Sequence, residues 1–154
     1  MNASPPFDLQ TAHRHFAAEA FNTAWDLIDS KDRTAEQELE MLARAFASLW
    51  HWKHRDDLTN QSRSVGYWQI SRAFALLSEG SMAMRCGQLA LKYARGTLPF
   101  YEAYAYEALA RAAVISGDSA AAKKYLAAAR TLVERVEEAS SREMLLADLQ
   151  SIHG

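Results

Sequence analysis

The stretch EAYAYEALARAAVISGDSAAAKKYLAAARTLVE, residues 102–134, decides the fold class. Its apolar residues recur every three or four positions on both sides of Gly117-Asp118, which is the spacing of two amphipathic helices. Glycine tolerates the left-handed conformation that ends a helix, so Gly117-Asp118 marks the turn between the two helices. The stretch therefore predicts a helical hairpin, two helices joined by a tight turn.

The same helical spacing continues through the rest of the chain, which predicts seven helices and no strand. We expect three hairpins, at about residues 8–53, 62–95 and 98–138, followed by a last helix at about 140–152. The polar residues 54–66 predict the longest loop. Short connections favour packing between neighbouring helices, so we predict an all-α fold in one domain over residues 1–154.

Helix-end signals support these boundaries. Thr34 precedes Gln37 and Ser140 precedes Glu143, the spacing of capping boxes at the starts of the second and last helices. Gly80-Ser81 predicts a stop followed by a cap between the third and fourth helices.

Composition excludes several classes of protein. The 154 residues are 49% hydrophobic and 23% charged, a balance typical of a soluble globular domain. A formal net charge of −2 gives no electrostatic reason to expect nucleic acid or an anionic membrane as a partner. No apolar run approaches the roughly 18 residues of a membrane-spanning helix. The polar start Met1–Pro6 and the single cysteine, Cys86, which we expect to be buried, favour a cytoplasmic location.

Residues 102–134 resemble the tetratricopeptide repeat (TPR) family. A large residue, a Leu-small pair, a Gly-Asp turn and small residues seven apart follow one another in the family's order: Tyr106, Leu109, Ala110, Ala113, Gly117, Asp118, Ala122, Leu126 and Ala129. The hairpin at residues 67–96 resembles the same repeat less closely, and the first hairpin resembles it only in outline. The chain is also similar to small stand-alone bacterial repeat proteins of unassigned activity. The resemblance implies hairpins stacked in a short right-handed superhelix with a capping last helix.

The resemblance further implies that the first helix of each hairpin lines a concave groove. Carried over to this chain, the groove residues are His15, Asn22, Trp68, Ser71, Arg72, Tyr104, Glu107 and Arg111. Arginine binds carboxylates through paired hydrogen bonds, so a protein or peptide with an acidic or C-terminal carboxylate is the expected partner. The alternative is that Arg72 and Arg111 pair with Glu107 and other acids of the chain itself.

No pattern in the sequence predicts catalysis or a cofactor. Nucleophile, phosphate-loop and dinucleotide motifs are absent from the sequence. His13/His15 and His51/His54 are the histidine pairs, and neither has an evident third ligand for zinc. We therefore expect a non-catalytic binding module without metal or cofactor. A small metal- or His-dependent enzyme and a self-associating protein, such as a homodimer, remain the alternatives.

The four tryptophans, Trp25, Trp50, Trp52 and Trp68, all lie in the first half of the chain. Aromatic side chains usually serve burial, so we predict a packing role for them. Trp50 and Trp52 are two positions apart on one helix and point to different sides, so one of this pair should be buried. The alternative is that Trp52 and Trp68 line a recognition surface.

Overall fold

The computed structural model describes residues 4–153, which form seven helices and no strand. The helices are α1 (Leu9–Ile28), α2 (Ala35–Lys53), α3 (Asn60–Leu76), α4 (Gly80–Ala94), α5 (Pro99–Ile115), α6 (Ser119–Val133) and α7 (Ala139–Gln150). The all-α prediction is confirmed. Met1–Ala3, part of the polar start on which the expectation of no targeting leader rests, lie outside the described residues. Within residues 4–153, every helix is too short or too polar to cross a membrane.

The helices stack as hairpins in two layers. Consecutive helices pack together in the pairs α1/α2, α3/α4 and α5/α6, while α1 contacts α3 and α3 contacts α5. The first helices of the three hairpins therefore form a continuous inner layer. The last helix, α7, packs on α5 and α6 and so covers one end of that layer.

Side-chain caps begin most of these helices. The capping box at α2 is confirmed: the Gln37 N–H donates to Thr34 Oγ1 at 3.2 Å, and the Thr34 N–H donates to Gln37 Oε1 at 2.9 Å. At the hairpin turn that decided the fold, Gly117 has φ 74° and Asp118 accepts the Ala121 N–H at 3.0 Å. The predicted turn at Gly117-Asp118 is confirmed, and the structure adds that Asp118 caps α6.

The helix α3 begins earlier than predicted. Thr59 Oγ1 accepts the Ser62 N–H at 3.1 Å, so the helix starts at Asn60, and much of the predicted loop at 54–66 is helical. Gly66, which suggested a loop, lies inside α3 against α2. A Cβ added there would lie 2.7 Å from Leu49 Cδ1, so close packing explains this glycine better than a turn does.

Two predicted caps are wrong. Ser78, with φ 60°, takes the left-handed position between α3 and α4, and Gly80 is already the first residue of α4. Ser81 therefore lies inside the helix. At α7 the N-cap is Glu138, whose carboxylate accepts a hydrogen bond from the Ser141 hydroxyl at 2.5 Å, so the Ser140–Glu143 box does not form.

Small side chains let the helices approach closely. A Cβ on Gly87 of α4 would lie 3.0 Å from Leu109 Cδ2 on α5. Buried serine hydroxyls join paired helices: Ser48 donates to the Ala17 carbonyl at 2.8 Å, and Ser64 donates to the Ala90 carbonyl at 2.9 Å. Cys86 is buried as predicted, and burial raises the pKa of its thiol.

Candidate binding site

The centre of the site is a buried carboxylate on α5. Glu107 has no solvent exposure. Its Oε2 accepts the Trp68 indole N–H at 2.9 Å, and its Oε1 accepts the Arg72 Nη1 at 2.9 Å as well as the Nε of Arg111. Buried charges are tolerated when they are paired and hydrogen-bonded, and Glu107 meets both conditions. We call Trp68, Arg72, Glu107, Arg111 and Asp148 the polar network.

The last helix supplies the rest of this polar network. Asp148 on α7 lies 3.4 Å from Arg72 Nη2, and its other oxygen accepts the Tyr104 hydroxyl at 2.8 Å. Arg111 Nη2 donates to the Asp148 carbonyl oxygen at 3.0 Å and to Ser151 Oγ at 2.7 Å. The structure thus has the second of the two arrangements expected for the arginines, in which they pair with acids of the chain itself.

Burial changes the chemistry of the polar network. Side-chain exposure is only 14% for Arg72 and 18% for Arg111, so these ion pairs are far less screened than surface pairs. Burial raises the pKa of the Tyr104 hydroxyl, and its hydrogen bond to Asp148 raises that pKa further. Tyr104 therefore stays protonated at neutral pH and donates to Asp148.

An aromatic cavity of about 500 Å³ lies beside the polar network, between α1, α3, α5 and α7. The ring centroids of Trp25 and Trp68 are 5.3 Å apart and those of Trp68 and Tyr104 are 4.9 Å apart. Phe100 packs on Tyr104 at 5.0 Å. Further lining comes from Phe21, Asp29, Ser64, Val65, Arg72, Tyr101, Met144 and Asp148. Half of the twelve lining residues are thus aromatic, and the charged ones, Asp29, Arg72 and Asp148, lie at the end next to Arg111.

Two further cavities adjoin the aromatic cavity along α1 and α3, besides one of about 620 Å³ at the start of α5 that shares Phe100 and Tyr101 with it. The Asn22 cavity, about 290 Å³, shares Phe21, Val65 and Tyr101 with it. The Arg111 cavity, about 470 Å³, shares Asp29 and Arg72 with it. The Asn22, aromatic and Arg111 cavities follow one another along the inner layer of helices, and we call this series the inner groove.

The structure brings five of the eight predicted groove residues together: Trp68, Arg72, Tyr104, Glu107 and Arg111. Asn22 is exposed and lines the Asn22 cavity with Trp52. His15 is different: its side chain is 68% exposed, pairs with Glu19 at 3.5 Å and lines none of the cavities described above.

The prediction for Ser71 is wrong. Ser71 is buried, and its hydroxyl donates to the Ala83 carbonyl on α4 at 2.8 Å. Neighbouring positions on a helix point about 100° apart, so Arg72 faces α5 while Ser71 turns into its own hairpin. Ser71 therefore belongs to the α3/α4 interface and not to the groove.

Several residues that line the aromatic cavity were not predicted, although their spacing along the helix places them on one face. Phe21, Trp25 and Asp29 lie four positions apart along α1 and its end, so they form one stripe, and all three line the aromatic cavity. Asp148 and Ser151 carried no such signal. Both are polar residues near the end of a short helix whose docking position cannot be read from its own sequence.

A histidine cluster joins the start of α1 to the end of α2. His13 Nδ1 lies 2.9 Å from His51 Nδ1, the His54 ring stacks on His13 at 5.2 Å, and His54 Nδ1 bonds the Trp50 carbonyl. Burial lowers the pKa of His51, and the nearby His13 and His54 lower it further. Across residues 4–153, no group of three or more His, Cys, Asp or Glu side chains is placed to hold a metal ion.

The tryptophans divide between these features. Trp25 and Trp68 line the aromatic cavity. Trp52 is half-buried beneath the Arg55 guanidinium, 3.8 Å from the ring centroid. Trp50 is 54% exposed beside the histidine cluster, so the predicted burial of one member of the Trp50/Trp52 pair is met only in part, by Trp52.

Comparison of the chain with protein-family models, with curated proteins and with solved structures finds no match. The hairpin stack, the polar network and the inner groove are therefore the observations from which a function can be argued.

Proposed function

We propose that this chain is a non-catalytic, TPR-like binding module that holds a peptide segment of a protein partner in the inner groove. The observation that carries the proposal is the aromatic cavity of about 500 Å³ on the inner layer of helices. Ligand sites are concave, mostly apolar and of about this volume. Buried anchors at the centre of protein interfaces are characteristically large side chains inserted into such pockets.

The neighbouring cavities suit a peptide better than a compact small molecule. The Asn22 and Arg111 cavities extend the aromatic cavity at both ends, so a bound segment would place one side chain centrally and its flanks on either side. The walls are helices packed into the stack, which supports a largely preformed site. Binding to a preformed site costs little ordering entropy.

An acidic partner is not part of this proposal. Arg72 and Arg111 already bind Glu107 and Asp148, and a partner's carboxylate would have to displace Asp148 from α7. Breaking such pairs leaves buried charges uncompensated, which is costly.

A cytoplasmic location of the protein stays a prediction.

The alternatives have their own locations in the structure. A His-dependent enzyme would use His13, His51 and His54, none of which lines the aromatic cavity. Self-association would use the exposed apolar side chains of α2, namely Leu39, Phe46 and Trp50. His51 lines a separate cavity of about 340 Å³ with Phe16, and neither location has the six aromatic residues that line the aromatic cavity.

A peptide selection tests the proposal. Peptides displayed on phage are selected on the immobilised protein, and their affinities are measured for the wild type and for Val65→Phe, which places a ring in the cavity. Thr131→Phe, a change of similar size on the exposed face of α6, is the control. We expect Val65→Phe to weaken binding at least tenfold and Thr131→Phe to leave it unchanged. Selected peptides that bind both variants equally would refute binding in the groove.

A further inference from the structure

The charged end of the aromatic cavity carries an excess of negative charge. Three carboxylates, those of Asp29, Glu107 and Asp148, face two guanidiniums, those of Arg72 and Arg111. Glu107 and Asp148 take part in ion pairs with these arginines. The carboxylate of Asp29, at the edge of the cavity, is in none of the ion pairs among residues 4–153.

The aromatic rings that line the cavity with Asp29 are inclined to one another. The planes of Trp25 and Trp68 meet at 43°, and those of Trp68 and Tyr104 meet at 62°. All three residues line the cavity, and none of these pairs is a parallel stack. The face of an aromatic ring is the negative part of its quadrupole and attracts a cation within about 6 Å, most strongly for tryptophan.

The arginine in the cavity wall does not reverse this preference. Arg72 is the cation among the lining residues, but its guanidinium is 14% exposed and is held between Glu107 and Asp148. Its donors point at these acids, so its charge is largely neutralised within the chain. Asp29, by contrast, is exposed at the carboxyl end of α1, where the Arg33 guanidinium donates to the Leu27 and Ile28 carbonyls and not to the Asp29 carboxylate.

We infer that the aromatic cavity takes the cationic side chain of a lysine or arginine from the partner peptide, held over the faces of Trp25 and Trp68 with its charge beside Asp29. This inference rests on the proposed function and adds to it the class of side chain that is bound. The partner side chain inferred here is positively charged, whereas the two groove arginines alone favoured a negatively charged one.

The test uses small probes that differ in charge and match in size. The probes are n-butylammonium, which reproduces the lysine side chain, neutral 1-butanol and anionic butyrate. Each is titrated into the full chain while the indole N–H resonances of Trp25 and Trp68 are followed by NMR. We expect n-butylammonium to bind at least fivefold more tightly than either of the other probes.

Two neighbouring aspartates provide a matched pair of variants. Asp29→Asn should weaken binding of n-butylammonium at least threefold, and Asp29→Glu should restore most of it. Asp26→Asn, also exposed on α1 but outside the cavity lining, should leave the affinity unchanged. Circular dichroism of each variant checks that the fold is retained.

Three outcomes would overturn the inference: equal affinity for butylammonium and butanol, tighter binding of butyrate, or no effect of Asp29→Asn. None of them bears on whether peptides bind in the groove, which Val65→Phe tests separately. Selected peptides that depend on Val65 but lack basic residues would retain the proposed function and exclude the cationic side chain.

Discussion

The indole N–H of Trp68 on α3 donates to the buried Glu107 carboxylate on α5 across 2.9 Å. Arg72, one helical turn further along α3, donates to the other oxygen of the same carboxylate at 2.9 Å. Two hairpins are thus joined by a charged group inside the molecule as well as by apolar packing. Because a buried charge is costly when unpaired, this contact fixes how α3 and α5 lie against each other.

We expect Glu107→Gln to lower the free energy of unfolding by about 3 kcal/mol, because it leaves two buried guanidiniums facing a neutral amide. Urea denaturation measures the change. Glu102→Gln on the same helix, outside the polar network, is the control and should cost less than about 0.5 kcal/mol. Equal losses in the two variants would show that the charge of Glu107 is not needed for stability.

Ser71→Ala should cost about 1 kcal/mol of stability and leave peptide binding unchanged. The buried hydroxyl donates to the Ala83 carbonyl at 2.8 Å, and a typical hydrogen bond contributes about this much. Ser81→Ala, at an exposed position on α4, serves as the control. Weaker peptide binding at unchanged stability would show that Ser71 contributes to binding in the groove.

Much of the fold could be predicted because hydrophobic spacing and turn residues are local. Gly117-Asp118 and Thr34 placed helix ends correctly without knowledge of any neighbour. Gly66 misled because the reason for a glycine there is its close approach to Leu49, 17 positions earlier in the chain. A close approach of this kind depends on tertiary packing, and nothing in the residues around Gly66 signals it.

The site could be predicted only along single helices. The four-residue spacing placed Trp68 with Arg72, and Glu107 with Arg111, on common faces, and the structure brings these faces together. Asp148 could not be predicted as a site residue, because it lies on α7 and the spacing within a helix does not say where that helix docks. The sequence therefore left open whether the arginines bind a partner's carboxylate or acids of the chain itself, and in the structure they contact Glu107 and α7.

Stability should fall with acid through the histidine cluster. Burial lowers the pKa of His51 in the folded protein, and His13 and His54 lower it further. At a pH below the ordinary pKa of histidine, the unfolded chain therefore binds more protons than the folded chain. The free energy of unfolding then decreases as the pH falls from about 6.5 toward the lowered pKa of His51. Denaturation curves between about pH 7.5 and 5 measure this slope.

His51→Gln should flatten that pH dependence, because the titrating group is removed. His153→Gln, at an exposed position after α7, should leave the slope as it is in the wild type. A pH dependence in His51→Gln as steep as in the wild type, or steeper, would mean that acid acts through other groups.

The final prediction concerns Arg111, which joins α5 to the end of α7 through the Asp148 carbonyl at 3.0 Å and Ser151 Oγ at 2.7 Å. Hydrogen bonds to charged groups contribute about 1.5–3 kcal/mol, so Arg111→Ala should weaken the docking of α7 by a similar amount. Because α7 is the last helix and its backbone packs on α5 and α6, with one further ion pair from Asp148 to Arg72 on α3, that loss should appear first as local opening.

Amide hydrogen exchange measures this opening. The buried Leu145 and Leu149 amides of α7 should exchange at least about tenfold faster in Arg111→Ala, since each 1.4 kcal/mol is a factor of ten. Amides of α1 should change less. Arg111→Lys should recover only part of the protection, because the guanidinium donates to Glu107 through Nε and to α7 through Nη2, and an ammonium has no second nitrogen to serve both. If Arg111 instead served a partner's carboxylate, Arg111→Ala would leave α7 exchange unchanged and weaken peptide binding, and that result would restore the acidic partner.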